Sequence, residues 1–169
     1  MLIGFCGYSK AGKDEAIKGL SGFERIGFAD PLKAELAASL SISIEELELR
    51  KEEFREAMVE LGARRRAESP GYWIRAVTPK VEQLIAEGKS VGITDVRYAD
   101  EARWAKSLGG HIVYIDRPGV GPANAEEKRS IQEILDDKLF GSVLHNDSTV
   151  EQLHARAARL ALFYKEMGR

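Results

Sequence analysis

Apolar residues along this chain follow two alternating rhythms, short unbroken runs and stripes spaced three or four residues apart. Leu2–Cys6 is a run of the first kind, interrupted by Gly4 and closed by Gly7, which predicts a strand buried on both faces. Gly12–Leu20 then offers Ala16, Ile17 and Leu20, the pattern of a short helix. Arg25–Ala29 predicts a second strand. Asp30-Pro31 supplies an N-cap acceptor and a first-turn proline for a helix carrying Leu32, Leu36, Ala37 and Leu40. From Ile44 to Leu61 the chain is highly charged, with Leu47, Phe54, Met58 and Leu61 on one stripe, and this predicts a single surface helix.

An arginine-rich link at 64–66 follows. Pro70 opens a helix with Trp73, Val77, Val81, Leu84 and Ile85 on one side, and Gly88 ends it. Ser90–Thr94 predicts a strand, Ala99–Leu108 a helix closed by Gly109-Gly110, and His111–Ile115 another strand. Residues 117–130 read as a polar segment containing glycine and proline, and Val143–His145 as a last short strand. Val150, Leu153, Ala157, Leu160, Ala161 and Tyr164 place a long apolar stripe on a final helix. Strands separated by helices imply βαβ units and a mostly parallel sheet covered on both faces, with ligands beyond the carboxyl ends of the strands.

Length and composition narrow the picture. A chain of 169 residues suits one domain, or one domain with a small lid. At 44% hydrophobic and 31% charged it can bury a core, which excludes a disordered chain. The net charge of −2 argues against a nucleic-acid coat protein, and no nucleic-acid partner is expected. The single cysteine, Cys6, excludes an internal disulfide or a CxxC site. The apolar start, Met1–Cys6, is shorter than the roughly 7–15 apolar residues of a secretory signal or the about 20 of a membrane span. The expectation is a soluble, cytoplasmic protein without a membrane partner.

Directly after the first strand stands Gly7-Tyr-Ser-Lys-Ala-Gly12-Lys13-Asp14, the Gly-x4-Gly-Lys core of a Walker A loop. Its glycines let the backbone curl so that successive N–H groups point at phosphate oxygens, and the following helix adds its positive dipole end. Lys13 then reaches the β and γ phosphates. Spacing alone is a weak signal; the location between first strand and first helix lifts it above a glycine-rich turn with a surface lysine. Asp14 stands where Ser or Thr usually serves Mg²⁺. It can ligate metal directly, act through water, or cap the helix.

Val91-Gly-Ile-Thr-Asp95 has the form of a Walker B strand, whose carboxylate holds Mg²⁺ directly or through water. A turn cap is the plainer role for such an aspartate. Arg97 lies two residues on, at the same strand end. Lys33 follows the second strand, and Arg64-Arg65-Arg66 precede Pro70-Gly-Tyr72-Trp73. Three adjacent arginines often make a solvated turn, but a phosphate acceptor site needs bidentate donors of this kind. Tyr72 and Trp73 can stack on a base or pack in the core; Trp73 falls on the apolar stripe. Arg117 follows the fourth strand, and Lys128 and Arg129 stand in the polar segment after it. His111, His145 and His154 read as packing residues.

In these segments the sequence resembles the deoxynucleoside monophosphate kinases of tailed bacteriophages and related prophages. GYSKAGKD resembles that family's phosphate loop, FADPLK its segment after the second strand, and RRAESPGYWIR its arginine-rich stretch. ITDVRYADE is similar to its Asp-Val-Arg motif, and HNDSTVEQL to the loop before the last helix of many small kinases. The five segments lie in order from residue 3 to 153. The resemblance implies a three-layer α/β P-loop NTPase fold with a central parallel sheet flanked by helices. It also implies small insertions, one for the nucleoside monophosphate at about 31–75 and a lid at about 117–137.

By the same resemblance, Mg-ATP is the donor and a nucleoside monophosphate the acceptor. Gly7, Ser9, Lys10, Ala11, Gly12, Lys13, Asp14 and Glu15 would cradle ATP, with Arg117 and Asn146 near the adenine. Asp95 is the magnesium-side acid, with Asp14 beside it. Lys33, Arg66 and Arg97 are the acceptor-phosphate contacts, with Arg65 and Trp73 on the same side. Arg129, or Lys128 beside it, would be the lid cation that brings charge to the transferring group. The lid departs from the family, which often shows His-x-Ser-Glu where this chain has Ala125-Glu-Glu-Lys-Arg-Ser130. The expected activity is therefore a nucleoside monophosphate kinase acting as a monomer or homodimer. Two rivals remain: a kinase of another small phosphorylated metabolite or coenzyme precursor, and a slow nucleotide-gated regulatory ATPase.

Overall fold

Strand β1 (Leu2–Cys6) is buried at every position, as a central strand with covered faces must be. The computed structural model describes residues 1–168. Four further strands, β2 (Phe23–Ile26), β3 (Ser90–Val96), β4 (His111–Asp116) and β5 (Ser142–His145), complete one sheet of order β2-β3-β1-β4-β5, parallel throughout. Parallel neighbours need crossovers, and helices supply them. In chain order they are α1 (Lys13–Lys18), α2 (Ala29–Leu40), α3 (Ile44–Leu49), α4 (Arg55–Glu68), α5 (Tyr72–Ala86), α6 (Ala99–Ser107), α7 (Ala125–Asp136) and α8 (Val150–Met167). None is long and apolar enough to cross a membrane.

The chain divides into two compact units. The first takes in Met1–Ile26 and everything from Val81 onward, hence the sheet. Side-chain alternation along β1 serves its two faces separately. Ile3 and Phe5 join Val113 and Ile115 of β4, Ile17 of α1 and Leu153, Ala157 and Tyr164 of α8 in one core. On the opposite face, small residues admit α6 closely. A β-carbon on Gly110 would lie 2.3 Å from Leu2 Cδ2 and 2.6 Å from the Ala105 carbonyl oxygen. Helices on both faces make this the three-layer α/β arrangement expected of a P-loop kinase.

The second unit, Gly27–Lys80, is helical. Leu36, Leu47, Leu61 and Trp73, one from each of its helices, are buried. Its boundary falls just past Pro79, inside α5. Proline there has no N–H to return to the Arg75 carbonyl.

Several boundaries differ from the sequence expectation. The second strand is Phe23–Ile26 rather than Arg25–Ala29. Asp30 is not the N-cap of α2; it sits in the first turn and its carboxylate accepts from Gly27 N at 2.7 Å. The predicted helix from Ile44 to Leu61 is two, because the chain turns between Leu49 and Arg55, where α4 begins. The three arginines therefore lie on the last turns of α4 and not in a link. The polar segment 117–130 contains the start of α7, which Asn124 caps by accepting from Glu127 N at 2.8 Å.

Gly19 separates packing from backbone strain, since its φ of −73° suits any residue. A β-carbon there would meet His154 backbone atoms of α8 at 2.6 and 2.7 Å. Gly19→Ala should therefore lower stability by about 1–3 kcal/mol, the usual cost of overpacking. Gly121→Ala, with nothing within 4 Å of the added carbon, should stay within about 0.5 kcal/mol of wild type. Urea denaturation of the two variants makes the comparison.

Candidate active site

The loop from Gly7 to Gly12 leaves the carboxyl end of β1 and enters α1. Gly7 and Gly12 have φ of 136° and 105°, in the left-handed half of the map that side chains avoid. Space forbids a side chain as well. An added carbon on Gly7 would lie 2.7 Å from the Ile115 carbonyl oxygen, and one on Gly12 would lie 2.5 Å from Asn146 Nδ2. Lys10 also takes positive φ, at 65°. The first N–H to bond back within α1 is that of Ala16, to the Gly12 carbonyl at 2.8 Å. The amides of Lys13, Asp14 and Glu15, the first three of the helix, are thus open to an anion.

Lys13 is 9% exposed, and its Nζ donates to the carbonyls of Gly7 and Tyr8, each at 2.8 Å. Burial, and next the positive charge of Arg97, push its pKa below the ordinary lysine value; the carboxylates of Glu127, Asp14 and Asp95 push it back up. Two cations and three acids therefore stand within electrostatic reach of the loop. The charge of Lys13 also reaches Cys6, but burial dominates there and pushes the thiol up to about 12, so Cys6 stays a protonated core residue.

Asp95 owes its place to an irregularity. Gly4 pairs with Ile93 but Cys6 with Val96, so β3 carries one extra residue at Thr94-Asp95. Such a bulge re-aims the side chains it contains. Beside it, the buried Thr94 hydroxyl has no hydrogen-bond partner in the protein. Arg97 follows at once, and its backbone is fixed: the buried Glu101 accepts from Arg97 N at 2.8 Å and from Tyr98 N at 3.1 Å. Asp14 and Asp95 are the carboxylates of this cluster suited to a hard cation, and the open Thr94 hydroxyl adds a polar group next to the second. Two carboxylates are what magnesium takes from a protein when phosphate oxygens complete its shell.

Other predicted residues brace the loop. Asn146 Nδ2 donates to the Ala11 carbonyl at 2.8 Å, and Arg117 Nη1 to the Lys10 carbonyl at 3.0 Å. The Glu15 side chain pairs with Lys18 at 2.8 Å and His154 at 2.9 Å, which ties α1 to α8 and leaves its amide at the loop. Arg129 does not touch the loop. It is exposed on α7, about 200° around the helix from Glu127, which is the α7 residue that does reach the loop. His145 is exposed and faces Asp116 at 3.2 Å, so it is not a packing residue. His111 is one, stacked on Tyr164 with centroids 3.9 Å apart.

Within the helical unit two of the predicted basic residues, Lys33 and Arg65, are engaged. Lys33 forms an ion pair with Glu48. Arg65 Nε donates to Glu35 at 2.7 Å, its Nη2 approaches the same oxygen at 2.5 Å, and its Nη1 donates to Glu68 at 2.9 Å. Its guanidinium also lies 5.3 Å from the Tyr72 ring centroid. Arg65 is therefore a structural member of this unit rather than an available phosphate donor. Burial raises the Glu35 carboxyl, but hydrogen bonds from Arg65 and Tyr72 and the Arg65 charge outweigh it and hold Glu35 below the usual range. Trp73 is 2% exposed and its indole N–H donates to the Gly62 carbonyl at 3.3 Å, so it offers no face to a base.

Two contributors were passed over in the sequence, Glu127 and Glu101. Glu127 stands three residues after Asn124, the spacing of a helix-start box. Glu101 closes the ITDVRYADE segment, three residues after Tyr98, and so carries the same helix-start spacing.

If Trp73 is a packing residue, Trp73→Phe should lower stability by about 1–3 kcal/mol through lost volume and one lost hydrogen bond. Thermal unfolding measures this. Steady-state kinetics should return an acceptor KM within about twofold of wild type.

Comparison with known proteins agrees with this geometry. Over 66 residues, 39% of this chain, the sequence is 38% identical to a putative deoxynucleotide monophosphate kinase of Acanthamoeba polyphaga mimivirus, and the match spans 33% of that protein's length. A dephospho-CoA kinase from Campylobacter jejuni superposes with a TM-score of 0.61 at 12% identity, over 99% of this chain and 98% of that one. A sugar kinase from a Janibacter species gives 0.51 at 15% identity, over 94% and 92%. These two share the fold. The phosphomevalonate kinase family model matches residues 5–111, from near the end of β1 through the loop, Asp95 and Arg97 to the start of β4. With well over half of its length matched, the chain belongs to the phosphomevalonate kinase family of P-loop kinases.

Proposed function

We propose that the protein transfers the terminal phosphate of ATP to a (deoxy)nucleoside 5′-monophosphate, giving ADP and the diphosphate. The observation that carries this reading is Lys13, a buried ammonium held by two carbonyls of a loop that runs into the open first amides of α1. That arrangement suits a polyphosphate donor. The choice of acceptor is supported by the mimivirus relative, whose name specifies a deoxynucleotide monophosphate.

The chemistry asked of the protein is small. An acceptor phosphate oxygen is already ionised and nucleophilic, so positioning and charge neutralisation suffice without a general base. The loop amides and Lys13 hold the donor phosphates, and Asn146 and Arg117 keep the loop in shape from the carbonyl side. Arg97, on a backbone fixed by Glu101, meets the charge that develops between donor and acceptor. Arg66 and Lys33 are the proposed further contacts to the acceptor phosphate, Lys33 exchanging Glu48 for it. Asp14 and Asp95 fit a magnesium ion, which when bound would spread the negative charge of the transferring group.

A second reading has its own support, since the family model names a kinase of phosphomevalonate, another acceptor that already carries phosphate. A coupled assay with ATP and a panel of deoxynucleoside monophosphates, ribonucleoside monophosphates and phosphomevalonate separates the two. Turnover confined to monophosphates supports the first reading. Turnover with phosphomevalonate alone replaces it, and ATP hydrolysis indifferent to every acceptor removes both.

In the same assay Lys13→Ala should lower kcat at least about a hundredfold with the fold intact, as removal of one preorganised charge-stabilising donor does. Arg97→Ala should raise the acceptor KM, or lower kcat, by about ten- to a hundredfold, the worth of one charge-assisted contact. Calorimetric ATP affinity should move less than about threefold. Arg97→Lys should recover part of the loss, since an ammonium lacks the bidentate fork. A collapse of ATP affinity with unchanged acceptor KM would assign Arg97 to the donor.

A further inference from the structure

The α7 side chain that touches the phosphate loop is an acid. Glu127 Oε1 accepts from Ser9 N at 2.7 Å, across 118 residues of sequence. Its other oxygen accepts from Ala123 N at 2.6 Å, and its own N–H donates to Asn124 Oδ1 at 2.8 Å. Carboxylate and backbone are thus fixed together in the first turn of α7. Ser130, Ile131 and Ile134 bury the inner face of that helix. Tyr98 OH donates to Glu126 Oε1 at 2.6 Å, which ties the same turn to the entry of α6.

A side-chain carboxylate on an amide of this loop is a choice of sign. The loop gathers N–H groups and a buried ammonium, and such an assembly attracts whatever anion is nearest. Among the three carboxylates whose field reaches Lys13, that of Glu127 has the largest effect. Two anions cannot share one amide at hydrogen-bond distance without strong repulsion.

We propose that Glu127 is the resident anion of the phosphate loop: in the ligand-free chain its carboxylate takes the Ser9 N–H that a nucleotide phosphate oxygen would use, and nucleotide enters only when the first turn of α7 withdraws. This rests on the loop being the ATP site and adds a latch to it. Apparent ATP affinity is then the intrinsic affinity reduced by the fraction of molecules that are unlatched. The latch also gives α7 two seats, one on the loop and one displaced from it. Closure and nucleotide occupancy thereby become coupled.

The test uses the full chain as wild type, Glu127→Ala and Glu127→Gln, with two readouts. Amide hydrogen exchange without ligand should show Ser9 N–H protected in wild type and exchanging about tenfold faster in Glu127→Ala. Calorimetry with ATP should give a dissociation constant about tenfold lower in Glu127→Ala, the gain for a competent state populated about one-tenth of the time. Glu127→Gln, which keeps an acceptor oxygen but not the charge, should fall between and carries the test if the alanine variant does not fold. ATP affinity unchanged or weakened in folded variants, or Ser9 exchange that does not change, overturns the latch alone. Failure of wild type and both variants to bind ATP, with Ser9 exchange changing as expected, removes the ATP reading and the proposal with it.

Discussion

A buried ammonium sets the terms for the rest of the molecule. Taking the Lys13 charge out of water is unfavourable unless the surroundings return what hydration supplied. Here two carbonyl oxygens, both 2.8 Å away, do so, and they belong to the loop that the lysine serves. The loop must therefore curl around its own side chain. That curl needs positive φ at Gly7 and Gly12, and a strand end and a helix start close enough to be bridged by six residues. The order of the sheet, the small residues at its crowded points and the bracing of Asn146 and Arg117 all serve that geometry.

The helical unit handles charge in the opposite way. Lys33, Arg65 and Arg50 each lie against a glutamate, and the Arg65–Glu35–Tyr72 group adds a cation–ring contact. These pairs are largely at the surface, where each contributes little to stability. Their effect is on availability: a guanidinium already matched by two carboxylates is a poor receiver for a third anion. Density of arginine in the sequence therefore overstates the positive charge this unit can offer, and the difference lies in glutamates spaced along α2, α3 and α4.

The parallel sheet, the phosphate loop and the strand leading to Asp95 were legible because each rests on a local rule. Apolar runs mark buried strands, and two glycines with a lysine mark a backbone that must turn back on itself. The arginine-rich stretch misled because a charged segment looks alike as a link or as the outer face of α4, and only the burial of Leu61 and Gly62 decides it. Trp73 was ambiguous for the same reason. The Thr94-Asp95 bulge was beyond reach, since register depends on the partner strand. Glu127 was half visible. Its spacing from Asn124 marks a helix start, but its bond to Ser9 joins positions that no local pattern connects.

The bonds that shape the loop come from far along the chain. Asn146 reaches Ala11 across 135 residues, His154 reaches Glu15 across 139, and Arg117 reaches Lys10 across 107. Long-range closures of this kind form late in folding, because the intervening chain must be ordered before they return any stabilisation. During synthesis the loop emerges well before its braces, which follow 107 and 135 residues later. A nascent chain, or a fragment cut before β5, would hold the glycine-lysine segment without its shape. Nucleotide capture thus reports that the braces from Arg117 and Asn146 have formed, and ligand-dependent protection from proteolysis would distinguish molecules that carry them from fragments that do not.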